Sequence, residues 1–234
     1  MASHPSIVSS DTVERVAELS ELTGSYMTLM VTAGILSAVA MLTNSVPVLI
    51  GSMVIAPALS PLALISFAIV NRDLKMAIKG ATSAGVGLGL AIAAAFIVTW
   101  ILNITQAIPP ETSLIEKTLL EERVTPGLYS VITAIAAGIA GIIALTERKT
   151  DTLVGVVAAL ALVPAGAAAA IAFLSRDPHR GWGGLALLGI NIALIILSSV
   201  VTLLFLHPTE HPKEHPEEYP QEQNVENSGE IVAK

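Results

Sequence analysis

The chain contains no cysteine, which removes disulfides, zinc–thiolate sites, iron–sulfur clusters and cysteine nucleophiles and leaves the redox compartment undetermined. Charge is scarce: Asp, Glu, Lys and Arg make up 13% of 234 residues, against about 25% in ordinary soluble domains. Aromatics amount to only 4%. The apolar mass is therefore Ala, Leu, Ile, Val and Gly, the residues that let membrane helices approach closely. The first 22 residues carry Asp11, Glu14, Arg15, Glu18 and Glu21, unlike the basic start and apolar run of a secretory signal. A net charge of −7 argues against a nucleic-acid partner.

What is abundant is hydrophobicity, at 53% of residues with a mean hydropathy of +0.73. From Leu22 to Asn71 there is no Asp, Glu, Lys or Arg. As one helix, that stretch would run about 75 Å against a hydrocarbon core of about 30 Å, so it must cross, turn and return. The turn falls at Thr43-Asn44-Ser45, ahead of Pro47. The pattern predicts an all-α integral membrane protein with about six spans, near 26–43, 47–70, 80–103, 128–146, 152–174 and 182–206. The second is either spanning or re-entrant, because it holds Pro47, Pro57 and Pro61. Residues 1–22 form an N-terminal segment with a short amphipathic helix beginning near Asp11, residues 23–206 the membrane domain, and 207–234 a disordered His/Pro/Glu-rich tail. In that tail His207, His211 and His215 each precede a proline. Each His is thereby biased toward extended backbone, so the three do not share a helix face as a metal site would need. A second surface helix is expected within 111–123.

Short-loop Lys and Arg set the orientation. With both ends inside, Arg15, Arg72, Lys75, Lys79, Arg148, Lys149, Lys213 and Lys234 are cytoplasmic, against Lys117, Arg123, Arg176 and Arg180 outside. This predicts a multi-pass protein with both ends cytoplasmic, N-in and C-in.

An offset of 104 residues brings the two halves into register, pairing Arg72-Asp73 with Arg176-Asp177, and Gly34, Gly51, Gly80 and Gly85 with Gly138, Gly155, Gly184 and Gly189. Apolar identities add little in so biased a composition. The alternatives at this stage are chance similarity and two three-span repeats, 23–103 and 127–206. An odd number of spans makes the second copy inverted, a recurrent plan of secondary transporters with sites where broken helices meet at the midplane. The corresponding interruptions are Gly51, Pro57 and Pro61 in span two, and Gly155 and Pro164 in span five.

Residues 48–61 (VLIGSMVIAPALSP) resemble the "IGAMLIAPLMSP" segment of a bacterial and archaeal hydrophobic-domain family, domain of unknown function 389. Asn44-Ser45 before them, residues 122–126 (ERVTP), residues 155–164 (GVVAALALVP) and Asn191 fit the same pattern. The similarity covers roughly 24–206. Ala165 replaces the family's second proline, so the fifth-span interruption is milder here. The resemblance implies a bacterial inner-membrane protein whose activity is not established.

No span holds Asp, Glu, Lys, Arg, His or Cys. An intramembrane ionisable group is the usual mark of a proton relay or catalytic site. Its absence argues against an enzyme, and no metal or cofactor is implied. The polar residues within the membrane are Asn44, Ser45, Ser52, Ser60, Ser66, Thr82, Ser83, Thr133, Asn191, Ser198 and Ser199. Most such hydroxyls bond their own helix. Asn44, Ser52, Ser60 and Asn191, with backbone freed at Pro57, Pro61 and Pro164, are the candidate lining of a substrate site. Arg72-Asp73 and Arg176-Asp177 are either solvated turns or gate pairs. The reading is a channel or secondary transporter for a small solute or ion, self-associating in the bilayer. The alternative is a non-transporting membrane scaffold.

Overall fold

A computed structural model describes residues 10–105, 119–120, 127–147, 151–175 and 177–205, the side chains of 151–161 excepted. All regular structure among them is helical: α1 Ser10–Leu19, α2 Gly24–Leu42, α3 Val46–Ile55, α4 Leu59–Asn71, α5 Leu74–Ile104, α6 Leu128–Glu147, α7 Asp151–Phe173 and α8 His179–Phe205. The His-Pro tail, Arg176 and most of the expected 111–123 helix lie outside the described residues.

Among the described residues, α2, α5, α6 and α8 are each long and apolar enough to cross a membrane. The pair α3–α4 passes the same test together but bends by 49° at its break. The fifth expected span, 152–174, coincides with α7, whose fully described part, Leu162–Phe173, is apolar but too short to cross by itself, so the described residues supply four to five candidate crossings rather than six. One expectation is corrected: Pro164 lies inside an uninterrupted helix, so the fifth segment is not broken. A lone proline removes one backbone hydrogen bond and crowds one carbonyl. Here the residues flanking it, Leu162 to Ala172, are all buried, and neighbouring helices hold the segment in line.

Helix ends follow local chemistry. Asn44 takes a left-handed φ of 52°. Ser45 N–H then reaches Ala40 O at 2.8 Å and Asn44 N–H reaches Met41 O at 3.3 Å, a Schellman closure in which Asn tolerates the conformation usually given to Gly. Arg72 repeats this at the end of α4, with φ 55°, Asp73 N–H to Ala68 O at 2.9 Å and Arg72 N–H to Ile69 O at 3.3 Å. Asp73 next caps α5, its Oδ1 accepting from Lys75 N at 2.9 Å and Met76 N at 3.2 Å. Replacing Asp73 by Ala is predicted to cost about 1 kcal/mol. Arg72→Gly is predicted to gain about 1 kcal/mol by relieving the left-handed penalty. Thermal unfolding in detergent checks both signs.

Helix α7 is central, packing against α2, α3, α5, α6 and α8, while α2 pairs with α5 and α6 with α8. Several glycines permit close crossings. A Cβ on Gly34 would strike the Ala91 backbone, and one on Gly138 would strike Ser198 Oγ and Ile195 O. A Cβ on Gly80 would lie 2.8 Å from Ile65 Cγ1, and one on Gly184 2.9 Å from Ala169 Cα. With no hydrophobic drive between helices inside lipid, such close approach and the dispersion it permits hold the bundle together.

Candidate functional site

The break between α3 and α4 has a local cause. Pro57 has no N–H to donate and its ring would clash with the Met53 carbonyl in a continuous helix. Ala56, preceding it, is driven to extended backbone (φ −79°, ψ 114°). The chain re-enters helix at Leu59, which places Pro61 in the first turn of α4, where N–H groups have no intrahelical partner in any case. Pro57 therefore breaks the helix and Pro61 does not. Helix α3 has 10 residues, a rise of about 15 Å, which is about half of a 30 Å hydrocarbon core.

The break is packed rather than open. Ala56, Ala58 and Pro61 are buried, and Pro57 and Ser60 half-buried. Ala56 and Ala58 share one apolar core with Val163 and Ala165, the two residues flanking the buried Pro164. The two proline positions expected to meet are thus parts of the same core. Asn191 on α8 is also buried, at 2% exposure. Asn44, by contrast, is exposed in the α2–α3 turn, its Oδ1 accepting from Leu119 N–H at 3.4 Å, at the end of the bundle and away from the break. Arg72, Asp73 and Asp177 are likewise exposed residues of helix-connecting turns.

Most span hydroxyls satisfy themselves on their own helix: Ser66 on Leu62 O, Thr82 on Ile78 O, Thr133 on Tyr129 O and Ser198 on Leu194 O, at 2.8–3.1 Å. Among the described residues of these helices, three hydroxyl contacts cross between helices, one of them at Ser52, which also donates to Leu49 O at 2.7 Å. Ser52 Oγ lies 2.9 Å from Ser37 Oγ, both fully buried, one turn ahead of the break. Ser199 Oγ donates to Gly138 O at 3.0 Å, and Tyr26 Oη to Ser83 O at 3.0 Å. Sequence reasoning selected Ser52 but missed Ser37 and Tyr26, since nothing in a linear sequence marks which of many apolar-face hydroxyls will face a partner. A double-mutant cycle of Ser37→Ala and Ser52→Ala is predicted to give a coupling of about 0.6 kcal/mol, typical of hydrogen bonds between membrane helices. Additivity within error in detergent unfolding would show that the pair contributes nothing to stability.

Among the described residues these features define an all-helical, membrane-type protein in which the apolar pair α3–α4 is bent at a break sealed by a small-residue core. The family described as domain of unknown function (DUF389) matches residues 53–197, well over half of the chain, and the protein belongs to that family. An uncharacterized protein of Methanocaldococcus jannaschii is 27% identical over 185 residues, which is 79% of this chain and 55% of the relative. The chain thus spans about half the length of that curated relative. No solved structure matches it.

Proposed function

We propose that the protein is a channel or secondary transporter for a small solute or ion, built from two inverted three-pass units, α2–α5 and α6–α8. The observation that carries this reading is the mid-depth break at Ala56-Pro57-Ala58, packed into one core with the residues around Pro164. Irregular backbone at membrane depth is tolerated only inside protein or beside a wet cavity, and broken helices at the midplane are the recurrent site of inverted-repeat transporters.

Support for the two units comes from the packing. The Gly34–Ala91 crossing of α2 and α5 has its counterpart, each residue 104 higher, in Gly138–Ile195 of α6 and α8. The Gly80–Ile65 crossing maps the same way onto Gly184–Ala169. Glycine identities alone could be coincidence of composition; shared partners at the same offset require the same pairing of helices. Helix bounds follow too: α2, shifted by 104, ends within one residue of α6. In six passes with the N-terminus inside, Trp100, Tyr129 and Trp182, all exposed, fall at the outer membrane surface. Amphipathic rings prefer such interfaces. Substrate binding in this reading falls to Ser52, Ser60 and Asn191 with the carbonyls freed by Pro57 and Pro164, Pro61 serving only to start α4, and requires no enzymatic step.

A second reading, a non-transporting scaffold, is favoured by the burial of Ala56, Ala58, Pro61 and Pro164. It takes the break as a packing kink. Reconstitution separates the two. Planar bilayers in KCl, and proteoliposomes offered a panel of labelled cations, anions and amino acids, should show conductance or uptake that Ser60→Ala or Asn191→Ala reduces. Silence across the panel from folded, reconstituted protein favours the scaffold.

A further inference from the structure

Helix α1 is amphipathic by sequence: Thr12 and Val16 are buried, Val13 and Ala17 half-buried, and Asp11, Glu14 and Glu18 exposed. It packs on α4 and touches α6. Val16, wholly buried, belongs to a cluster containing Leu64 and Phe67 of α4, Ile142 and Leu145 of α6, and Leu203 of α8. One side chain is therefore set among helices of both proposed units. Arg15 adds a polar tie, its Nη2 donating to Leu145 O at 2.7 Å. Leu145 lies in the last turn of α6, where carbonyls lack intrahelical partners and the helix dipole favours a cation.

We infer that α1 is a latch, clamping the inner ends of α4, α6 and α8 together and holding the inner side of the bundle closed. The inference rests on the two-unit reading above. A 10-residue helix is too short to be stable alone, so α1 keeps its form only while docked. Beside it, Ser10, Val13, Glu14, Ala17, Asn71 and Met76 border a groove of about 360 Å³, so its packing against the α4–α5 turn is incomplete. The link to α2 is short, and Lys79 of α5 pairs with Glu21 there at 3.0 Å. An undocked α1 consequently stays tethered within reach of its seat. This is the arrangement of an element that opens at low cost and recloses.

The absence of cysteine makes the test direct, because any introduced thiol is the sole one. In the full chain in lipid nanodiscs, Ala63→Cys reports the inner cluster under α1, and Leu49→Cys the buried outer part of α3. The rate of labelling by a water-soluble maleimide is measured with and without Arg15→Ala, Arg15→Lys and Val16→Ser. Arg15→Ala and Val16→Ser should raise the inner rate roughly tenfold, the scale of one lost charge-assisted hydrogen bond or one buried contact. Arg15→Lys should restore most of the original rate. An unchanged inner rate overturns the latch, and so does an equal rise at both reporters, which would mean general loosening. A fall at the outer reporter supports units that rock about a shared core. An inner rise with the outer rate unchanged keeps the latch and counts against that rocking arrangement. Should Val16→Ser not fold, Arg15→Ala and Arg15→Lys decide alone.

Discussion

Replacing Gly34 by Val is expected to cost about 3 kcal/mol, the upper end of the ordinary range for overpacking, and to remove most folded protein. Gly138→Val is expected to match it. The added Cβ on Gly34 would meet the Ala91 backbone, and the one on Gly138 the Ile195 backbone. A flexible side chain could turn aside; a neighbouring main chain can yield only if the whole helix moves, and α5 and α8 are each held by further contacts with α4 and α7. Gly85 and Gly89 provide the control, because a Cβ there has nothing within 4 Å. Alanine at either should leave the unfolding temperature unchanged within error, or raise it slightly through helix propensity. Thermal unfolding in detergent, followed by circular dichroism, compares the four. A tolerant Gly34→Val would mean that the α2–α5 crossing does not organise the first unit. Unequal costs at Gly34 and Gly138 would weaken the equivalence of the two units.

The second large effect is expected at the break. The double variant Pro57→Ala, Pro61→Ala restores both missing amide donors and removes both ring clashes, each clash being worth about 3 kcal/mol in a helix interior. Helix should then run continuously from α3 into α4. Spin labels on cysteines placed at Ile50 and Ile69, both exposed, report the change. Nineteen residues of straight helix span about 29 Å, and loss of the 49° bend should lengthen the label separation by a few ångström. In the transport reading the same variant loses at least about tenfold in conductance or uptake, since irregular backbone inside the membrane is what the site is made from. If the segment straightens while flux persists, the break is a packing device and the site lies elsewhere. If it does not straighten, the bend is imposed by α7 and α5 rather than by proline.

The helical class, the long apolar helices and the break at Pro57 were legible from the sequence because each follows from near-neighbour chemistry. An uncharged run far longer than the bilayer is thick must turn. Asn44, able to take the left-handed conformation, marks where it turns. Proline without an N–H marks where it breaks. The same local logic over-read Pro164, since a proline can remain in line when the helices around it hold the segment. It also could not pair Ser37 with Ser52, or Arg15 with a carbonyl 130 residues away.

Which glycines matter was decided only by tertiary structure. Gly34 and Gly85 are equally apolar, equally helical and equally repeated at an offset of 104, yet one faces a neighbouring backbone and the other open space. Sequence alone determined an all-helical membrane bundle and a break at Pro57, because solvation of charge and backbone acts residue by residue. The seating of each helix against the next had to come from the folded chain, because in lipid it depends on shape at contact between residues distant in sequence, where the difference between a glycine and any larger side chain is felt.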